Sequence, residues 1–315
     1  MKDKSGRTIE YLRLSVTDRC NFRCRYCMGP DGVEKLSHND ILSLEELFEI
    51  AAAAVKCGVR KIRFTGGEPL VRRGLPALIK ALRSLPGVEE LNLTTNGSLL
   101  APAAAELKEA GITRLNISVD TLDAEKFKSI TRIGTLDDTL NGIKAVKDVG
   151  FQNTKINTVL IGGFNTDEIR DFVLLTRNDP LCVRFIELMP IGECARWDSS
   201  HFVSADTVLK ACPELKPTES SGVAECYRIP GYAGTVGLIR PMSHRFCASC
   251  NRIRVTADGK LKPCLHSSDE LPLRGLHGQA LLDAIKNGIE AKPQRHYLTE
   301  NRRSDSARRM DQIGG

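Results

Sequence analysis

The sequence predicts an α/β protein whose core is an incomplete (β/α)6 TIM-like barrel. From about residue 10 to residue 190, short β-rich runs alternate with longer amphipathic helical stretches. Six βα units in one row imply a parallel sheet with right-handed crossovers. A complete TIM barrel would need eight units, and the alternation is lost after Gly192. A chain of 315 residues can hold such a core without disulfide or metal staples.

The elements of the six units can be placed from their boundaries. The predicted strands cover residues 11–16, 61–64, 90–94, 114–119, 155–161 and 183–188. The first helix is opened by Ser43 and Glu46, which form a capping box, and is stopped by Gly58. Two further helices cover 102–110, stopped by Gly111, and 135–150, opened by Thr135 with Asp138.

The pattern after Gly192 is different. It predicts a short helix at 204–211, a loop at 213–221, hairpin-like runs at 225–229, 235–240 and 253–256, and a last helix at 276–288. Asp258-Gly259 is a typical hairpin turn. Residues 292–315 have little predicted structure of their own. We therefore divide the chain into a partial barrel, 1–235, and a C-terminal region, 236–315, which closes the open side of the barrel.

The composition of the chain says more about its cellular compartment than about its function. The net charge of +6 suits an anionic small molecule as well as nucleic acid. No apolar stretch reaches the roughly 18 residues of a membrane span, and no secretory signal is visible, so we expect a cytoplasmic protein without a membrane partner. Eleven cysteines in that compartment indicate metal or redox chemistry. The five scattered cysteines are expected to be small buried hydrophobic residues: Cys57, Cys182, Cys194, Cys212 and Cys226.

A first cysteine triplet, Cys20, Cys24 and Cys27, follows directly on the first predicted strand. In a parallel α/β protein this is the C-terminal mouth, where such folds place their chemistry. Three thiols are one ligand short of a closed tetrahedral zinc site. They suit a [4Fe–4S] cube with one open iron. Spacing alone favours iron–sulfur but leaves zinc and unligated cysteines open.

Two motifs carry a resemblance to a known superfamily. The first triplet has the spacing Cys-x3-Cys-x2-Cys with Tyr26 before the last cysteine, and Gly66-Gly67-Glu68 ends the second strand. This pair of motifs resembles the radical S-adenosylmethionine (radical SAM) superfamily. The resemblance implies that the open iron binds S-adenosylmethionine and that its cleavage releases a 5′-deoxyadenosyl radical. It also implies that the cofactor site is lined by Tyr26, Gly67, Ser118 and Met189.

A second cysteine triplet consists of Cys247, Cys250 and Cys264. Its spacing alone leaves zinc possible, with His244 or His266 as a fourth ligand. The segment 246–265 resembles that of the GTP 3′,8-cyclases, which begin molybdenum cofactor biosynthesis, and the resemblance covers nearly the whole chain. It implies a second [4Fe–4S] cluster whose open iron contacts the guanine of GTP.

Cationic residues recur on the predicted strands and after the second triplet. Cations inside an α/β core are costly unless they are paired, which favours an anionic ligand. Matched to the family, the residues that would hold GTP are Arg13, Arg63, Thr94, Lys155, Arg252, Ile253 and Arg254. Lys61 and Arg184 are secondary candidates.

The family resemblance implies a lyase reaction with two halves. The radical would take the C3′ hydrogen of GTP, and the sugar radical would attack C8, giving 3′,8-cyclo-7,8-dihydro-GTP. The implied partners are cyclic pyranopterin monophosphate synthase as the next enzyme, a flavodoxin- or ferredoxin-like reductant and a second copy in a homodimer. Gly314 and Gly315 would take part in catalysis, because glycine suits a crowded cavity.

Two other functions fit part of the sequence. A radical SAM enzyme that matures peptides would also carry auxiliary clusters, but such enzymes usually have more C-terminal cysteines. A zinc-stabilised nucleic-acid-binding protein would explain the basic tail, whose cations are Lys292, Arg295, Arg302, Arg303, Arg308 and Arg309. That tail contains only one aromatic residue, Tyr297, and charge alone predicts a solvated segment. We therefore expect no nucleic-acid partner.

Overall fold

The computed structural model describes residues 1–32, 37, 40–298 and 304–314. Its strands form one mixed sheet. They are β1 Tyr11–Ser15, β2 Lys61–Thr65, β3 Glu90–Thr95, β4 Arg114–Ser118, β5 Lys155–Leu160, β6 Cys182–Glu187, β7 Lys216–Ser221, β8 Ala224–Arg228, β9 Thr235–Ile239, β10 Arg252–Val255, β11 Lys260–Lys262 and β12 Leu271–Pro272.

The helices pack on the outside of this sheet, except for the short last one, which lies inside the barrel. In the described part of the chain they are α1 Leu44–Lys56, α2 Leu75–Arg83, α3 Leu100–Ala110, α4 Ala124–Thr131, α5 Leu136–Asp148, α6 Ile169–Leu174, α7 Asp206–Ala211, α8 Gly278–Glu290 and α9 Met310–Ile313. The predicted capping box of α1 is confirmed, since the Glu46 N–H donates to Ser43 Oγ at 3.1 Å and the Ser43 N–H to Glu46 Oε2 at 2.7 Å. Gly111 ends α3 in the left-handed region, with a φ of 112°.

The six predicted βα units are confirmed, and the sheet extends beyond them on both sides. The strand order is β12-β11-β10-β1-β2-β3-β4-β5-β6-β9-β8-β7. The run from β10 to β9 is parallel throughout, and the remaining pairs are antiparallel. This order has two ends, as expected for an incomplete TIM-like barrel.

The C-terminal region departs from its prediction in two ways. The hairpins β8–β9 and β10–β11 are present, but β9 and β10 also pair in parallel with β6 and β1. The predicted loop at 213–221 is wrong, because residues Lys216–Ser221 form the edge strand β7. That strand is polar and almost wholly exposed, so it lacks the apolar alternation that identifies a half-buried strand.

Alternate side chains of the barrel strands face opposite sides of the sheet, so the outer face is apolar and the inner face is polar. In β1, Leu12 and Leu14 are fully buried in the core under the helices, whereas Tyr11 and Arg13 line an interior cavity. Successive side chains of a strand point to opposite faces. The same alternation in the neighbouring strands therefore places polar side chains inside the barrel.

Four of the five scattered cysteines are buried, as predicted: Cys57, Cys194, Cys212 and Cys226. Cys182 is only half-buried. No helix in the described ranges is long and apolar enough to cross a bilayer.

Candidate active site

Both cysteine triplets line one large cavity inside the barrel. The empty volume of this cavity, counted together with its solvent-filled mouth, is about 2150 Å³. The residues predicted for the S-adenosylmethionine site all line it: Tyr26, Gly67, Ser118 and Met189.

The loop of the first triplet is fixed to the end of helix α4. The Arg23 N–H donates to the Thr131 carbonyl and the Arg25 N–H to the Ile130 carbonyl, both at 2.9 Å. Arg132 Nη1 donates to the Met28 carbonyl at 2.9 Å. These bonds hold the backbone of the loop, so the thiols are presented to the cavity by a rigid support.

The two glycines after β2 are required by the backbone of a neighbouring loop. The Gly67 N–H donates to the Thr17 carbonyl at 3.0 Å, and the Glu68 N–H to the Arg19 carbonyl at 2.8 Å. A Cβ on Gly67 would lie 2.4 Å from the Arg19 carbonyl oxygen, and one on Gly66 2.6 Å from the Thr17 carbonyl oxygen. Glycine therefore lets this loop dock on the loop that leads into the first triplet.

Carboxyl groups surround the first triplet. Asp120 accepts a hydrogen bond from the Tyr26 hydroxyl at 2.6 Å and one from the Val159 N–H at 2.9 Å. Glu68 accepts from Thr95 Oγ1 at 2.8 Å and from the Asn96 N–H at 2.7 Å. Asp120 thus joins the loops after β1 and β4 to strand β5, and Glu68 joins the loop after β2 to the end of β3.

Burial dominates the protonation equilibria at this end of the cavity. It raises the pKa of Cys20 to about 11, and it raises the pKa values of Cys24 and Cys27 well above their usual range. Burial also raises the pKa of Glu68 to about 7 and that of Asp120 above its usual value. The free thiols are therefore protonated at neutral pH, and binding to a metal would release their protons.

The second triplet is held by cationic side chains. Arg7 Nη1 donates to the Cys247 carbonyl at 2.9 Å. Lys292, which is only 5% exposed, donates to the carbonyls of Arg252 and Pro263, both at 2.8 Å. Burial would raise the pKa of Cys250, but the Lys292 ammonium, the Arg252 N–H and the Arg252 guanidinium together lower it.

The donor sets fit iron–sulfur cubes. Each triplet offers three thiols to the cavity, and in a cube each thiolate binds a different iron. Among the residues that the structure describes, no three His, Cys, Asp or Glu side chains form a group that could hold one metal ion. Of the two histidines considered as zinc ligands, His266 lines the cavity near Cys264, whereas His244 lies at the surface, 3.5 Å from Glu225.

Five arginines from the barrel strands line the cavity on the side of the second triplet: Arg13, Arg63, Arg184, Arg252 and Arg254. In the parallel register, Arg13 stands between Arg63 and Arg254. Buried N–H groups on Arg184 (Nε), Arg252 (Nε) and Arg254 (Nη1) find no hydrogen-bond partner among the described residues. Burial and the neighbouring Arg252 lower the pKa of Arg254 to about 10. Such a cluster is stabilised by an anion.

The remaining predicted ligands take different places. Thr94 lines the cavity and accepts a hydrogen bond from Arg63 at 3.2 Å. Lys155 is buried at the start of β5 and is not among the lining residues; burial, then Arg184, lowers its pKa to about 8. Lys61 pairs with Glu90 at 3.0 Å. The side chain of Ile253 lies in the hydrophobic core.

Sequence reasoning missed Tyr11 and Lys292 as site residues. The Tyr11 hydroxyl accepts a short hydrogen bond from Arg63 Nε, and its ring lies 5.5 Å from the Arg252 guanidinium. The signal for Tyr11 was its position two residues before Arg13 on a strand, which places both on one face. Lys292 carried no such signal, because its partners Arg252 and Pro263 are distant in sequence.

The C-terminal tail, residues 304–314, enters the same cavity, so the prediction of a solvated segment from charge alone is wrong for this part. Gly314 has a φ of 85°, and its carbonyl accepts a hydrogen bond from Arg13 at 3.3 Å. A Cβ on Gly314 would lie 2.6 Å from Thr65 Oγ1. Met310 and Asp311 line the cavity. Gly315 lies outside the described residues.

Comparison with protein-family models divides the chain into two matched parts. Residues 14–176 match the radical SAM superfamily, and residues 181–298 match the family described as Molybdenum Cofactor Synthesis C.

Full-length relatives share one name. The chain is 48% identical over 320 residues to a GTP 3′,8-cyclase of Alkaliphilus metalliredigens, with 100% of each chain covered. It is 51% identical over 319 residues to a GTP 3′,8-cyclase of Peptoclostridium acidaminophilum, covering 99% of this chain and 98% of that one.

Solved structures agree with the fold. Streptococcus suis SuiB bound to S-adenosylmethionine superposes with a TM-score of 0.57 at 13% identity, covering 97% of this chain and 75% of that chain. The enzyme anSMEcpe with bound AdoMet gives a TM-score of 0.57 at 14% identity, covering 95% of this chain and 81% of that chain. At this identity the likeness is one of fold alone.

Proposed function

The chain belongs to the radical SAM superfamily and, within it, to the family of GTP 3′,8-cyclases, and from this membership we infer that it converts GTP to 3′,8-cyclo-7,8-dihydro-GTP in molybdenum cofactor biosynthesis. One observation in the structure carries the inference. Buried guanidinium N–H groups without a described partner face the cavity that both cysteine triplets line. A triphosphate beside a radical-generating cluster is the ligand that this combination suits.

The first triplet would hold the [4Fe–4S] cluster that the family implies. When bound, this cluster would supply the electron that cleaves S-adenosylmethionine and so generates the radical that takes the C3′ hydrogen of GTP. The residues of this chain would orient the cofactor. Asp120 fixes the Tyr26 hydroxyl at 2.6 Å, and Gly67, Ser118 and Met189 complete the proposed cofactor wall.

The arginines on the inner side of the barrel would bind the triphosphate. Five arginines line the cavity: Arg13, Arg63, Arg184, Arg252 and Arg254. Guanidinium groups bind phosphate oxygens through paired N–H donors. The proposed roles of Thr94, Lys155 and Ile253 are indirect. Thr94 accepts a hydrogen bond from Arg63, and Lys155 adds positive charge from outside the cavity lining. Ile253 anchors β10 in the hydrophobic core between Arg252 and Arg254.

We propose that the second triplet holds a second [4Fe–4S] cluster whose open iron meets the guanine base. Three thiols and the nearby Lys292 ammonium at this end support the proposal. Cations beside the thiolates would offset the negative charge of a cluster. We also propose that Gly314 and Gly315 take part in catalysis.

The wider setting follows from the pathway to which the family belongs. We propose that cyclic pyranopterin monophosphate synthase consumes the product, and that a flavodoxin- or ferredoxin-like protein supplies electrons in the cytoplasm. We also propose that the chain works as a homodimer, and that 1–235 and 236–315 act as a partial barrel and a substrate-binding region. Binding measurements between the purified proteins test the two partners, and a measurement of molecular size in solution tests the homodimer.

The test of the function is a turnover assay. Anaerobically reconstituted enzyme is given S-adenosylmethionine, a chemical reductant and GTP, and cyclised product and 5′-deoxyadenosine are quantified by mass spectrometry. We expect both products with GTP and no cyclised product with ATP. The proposal would be contradicted if the enzyme forms 5′-deoxyadenosine but no cyclised nucleotide under all the conditions tested.

A further inference from the structure

One arginine of the C-terminal tail, Arg308, pairs with two carboxylates elsewhere in the chain. Arg308 Nη1 and Nη2 donate to the two carboxylate oxygens of Asp258 at 3.0 and 2.9 Å. Arg308 Nε and Nη2 donate to the two oxygens of Glu270 at 2.6 and 2.7 Å. We call this group of Arg308, Asp258 and Glu270 the tail clasp. Two forked pairs on one guanidinium fix its orientation as well as its position.

The clasp lies on the side of the second triplet. Asp258 belongs to the turn between β10 and β11, and Glu270 precedes β12. Glu270 Oε1 also accepts a hydrogen bond from the fully buried Lys262 at 3.0 Å. The carboxylates are therefore anchored to the sheet edge from which Cys264 projects, two residues after Lys262.

From the clasp the tail crosses the cavity to the first triplet. The backbone of Asp311 lies beside the Cys27 thiol, and both residues line the cavity. The Asp311 side chain is fully buried, and its Oδ2 has no hydrogen-bond partner among the described residues. Beyond it, the Gly314 carbonyl accepts from Arg13. The six residues that follow Arg308, 309–314, thus reach both the first triplet and the proposed phosphate site.

We propose that Arg308 is the positioning residue that holds the tail across the cavity, and that the coupling of S-adenosylmethionine cleavage to GTP cyclisation depends on the tail clasp. Elsewhere the described tail is held by the burial of Ser304, Ser306 and Ile313 and by the hydrogen bond from Arg13 to Gly314. Arg308 supplies its paired charges to carboxylates outside the tail. This inference rests on the proposed function, since it concerns the yield of that reaction. Arg308 itself does not line the cavity.

The experiment compares Arg308→Ala with Arg308→Lys, Asp258→Asn and a matched control. The control is Arg60→Ala, which removes an arginine paired with Glu89 at 2.9 Å just before β2, outside the cavity. Two quantities are measured. The first is hydrogen exchange of peptides covering 304–314, before and after reconstitution, and the second is the amount of cyclised product per 5′-deoxyadenosine.

For Arg308→Ala we expect exchange in 304–314 to become about tenfold faster, because two partly buried ion pairs are lost. Product per 5′-deoxyadenosine should fall by about the same factor, while total cofactor cleavage stays within about twofold of wild type. Arg308→Lys keeps the charge without the fork, so it should recover part of both quantities. Asp258→Asn should change both by about threefold, and Arg60→Ala should match wild type.

Unchanged tail exchange, or an unchanged product ratio, in Arg308→Ala would overturn the proposal. If Arg308→Ala does not fold, the same two readouts on Asp258→Asn decide the question. A wild-type enzyme that makes no cyclised product would refute the proposed function instead, and the exchange measurement would still test whether the clasp holds the tail.

Discussion

The two ends of the cavity differ in the sign of the charge that surrounds each cysteine triplet. At the acidic end, Glu68, Asp120 and Asp311 lie around the first triplet, and burial raises the pKa values of its thiols. At the basic end, five arginines and Lys292 accompany the second triplet, and Lys292 and Arg252 lower the pKa of Cys250 against the effect of burial.

The difference teaches how one cavity can separate two ligands. S-adenosylmethionine carries a sulfonium, an ammonium and a carboxylate group, a net charge of about +1, whereas GTP carries about four negative charges at neutral pH. In the proposed arrangement each ligand would be attracted to the end of opposite sign. Charge would then favour one order of the two ligands along the cavity.

The largest expected effects come from removing one thiol at each end. Cys24→Ala should abolish cofactor cleavage and lose about half of the iron, because an open cube needs three thiolates. Cys250→Ala should lose a similar share of iron and all GTP turnover, but should still cleave S-adenosylmethionine. Iron and sulfide analysis together with 5′-deoxyadenosine formation measures both. Loss of cleavage in both variants would remove the distinction between the ends.

Removing a guanidinium from the basic end should affect GTP alone. Arg252→Ala or Arg254→Ala should weaken GTP binding by roughly 30-fold or more, since one partner of a desolvated charge pair is lost. Arg114→Ala is the matched control, because this strand residue already faces Glu90 at 3.6 Å and does not line the cavity. Calorimetry should find its GTP affinity within about twofold of wild type. Equal losses in all three variants would contradict a dedicated phosphate site.

A methyl group at the tip of the tail should have a smaller effect. Gly314→Ala places a Cβ 2.6 Å from Thr65 Oγ1 at a φ of 85°, and the left-handed conformation costs other residues about 1–2 kcal/mol. We expect product per 5′-deoxyadenosine to fall about tenfold. Gly231→Ala is the control, because Gly231 has the same φ of 85° with nothing within 4 Å of its Cβ. A drop of equal size in both variants would attribute the effect to backbone strain alone.

The smallest expected effect is a proton taken up when GTP binds. Burial and Arg184 lower the pKa of Lys155 to about 8, so about half of this side chain is neutral at pH 8. A bound triphosphate would raise that pKa, and about half a proton would then be taken up at pH 8. GTP affinity should accordingly fall as the pH rises above 8. The terminal phosphate of GTP is already deprotonated there and adds nothing.

Calorimetric titrations in two buffers of different ionisation enthalpy measure this uptake. Lys155→Arg carries a permanent charge, so it should take up no proton and should bind GTP with an affinity that is flat across this pH range. Equal proton uptake in wild type and Lys155→Arg would assign the proton to another group.

The barrel was predictable from the sequence because its signals are local. Ser43 and Glu46 lie three residues apart, and alternate positions of β1 and β2 carry Arg13 and Arg63. The parallel pairing of β10 with β1 was not predictable, since Arg254 and Arg13 are about 240 residues apart and no local pattern encodes such a contact.

The tail clasp escaped prediction for the same reason. Arg308 contacts Asp258 and Glu270 across 50 and 38 residues, and in the sequence all three look like ordinary surface charges. The predicted role of Gly314 came from a family resemblance and not from its neighbours. Its contact with Arg13 depends on tertiary structure.

The most direct test of one cavity with two ligands is the transfer of an isotope between them. GTP deuterated at C3′ is turned over with unlabelled S-adenosylmethionine, and the deuterium content of the 5′-deoxyadenosine is measured by mass spectrometry. If the acidic end generates the radical and the basic end holds GTP within its reach, 5′-deoxyadenosine gains one deuterium for each cyclised product. Cyclised product accompanied by unlabelled 5′-deoxyadenosine would contradict the account.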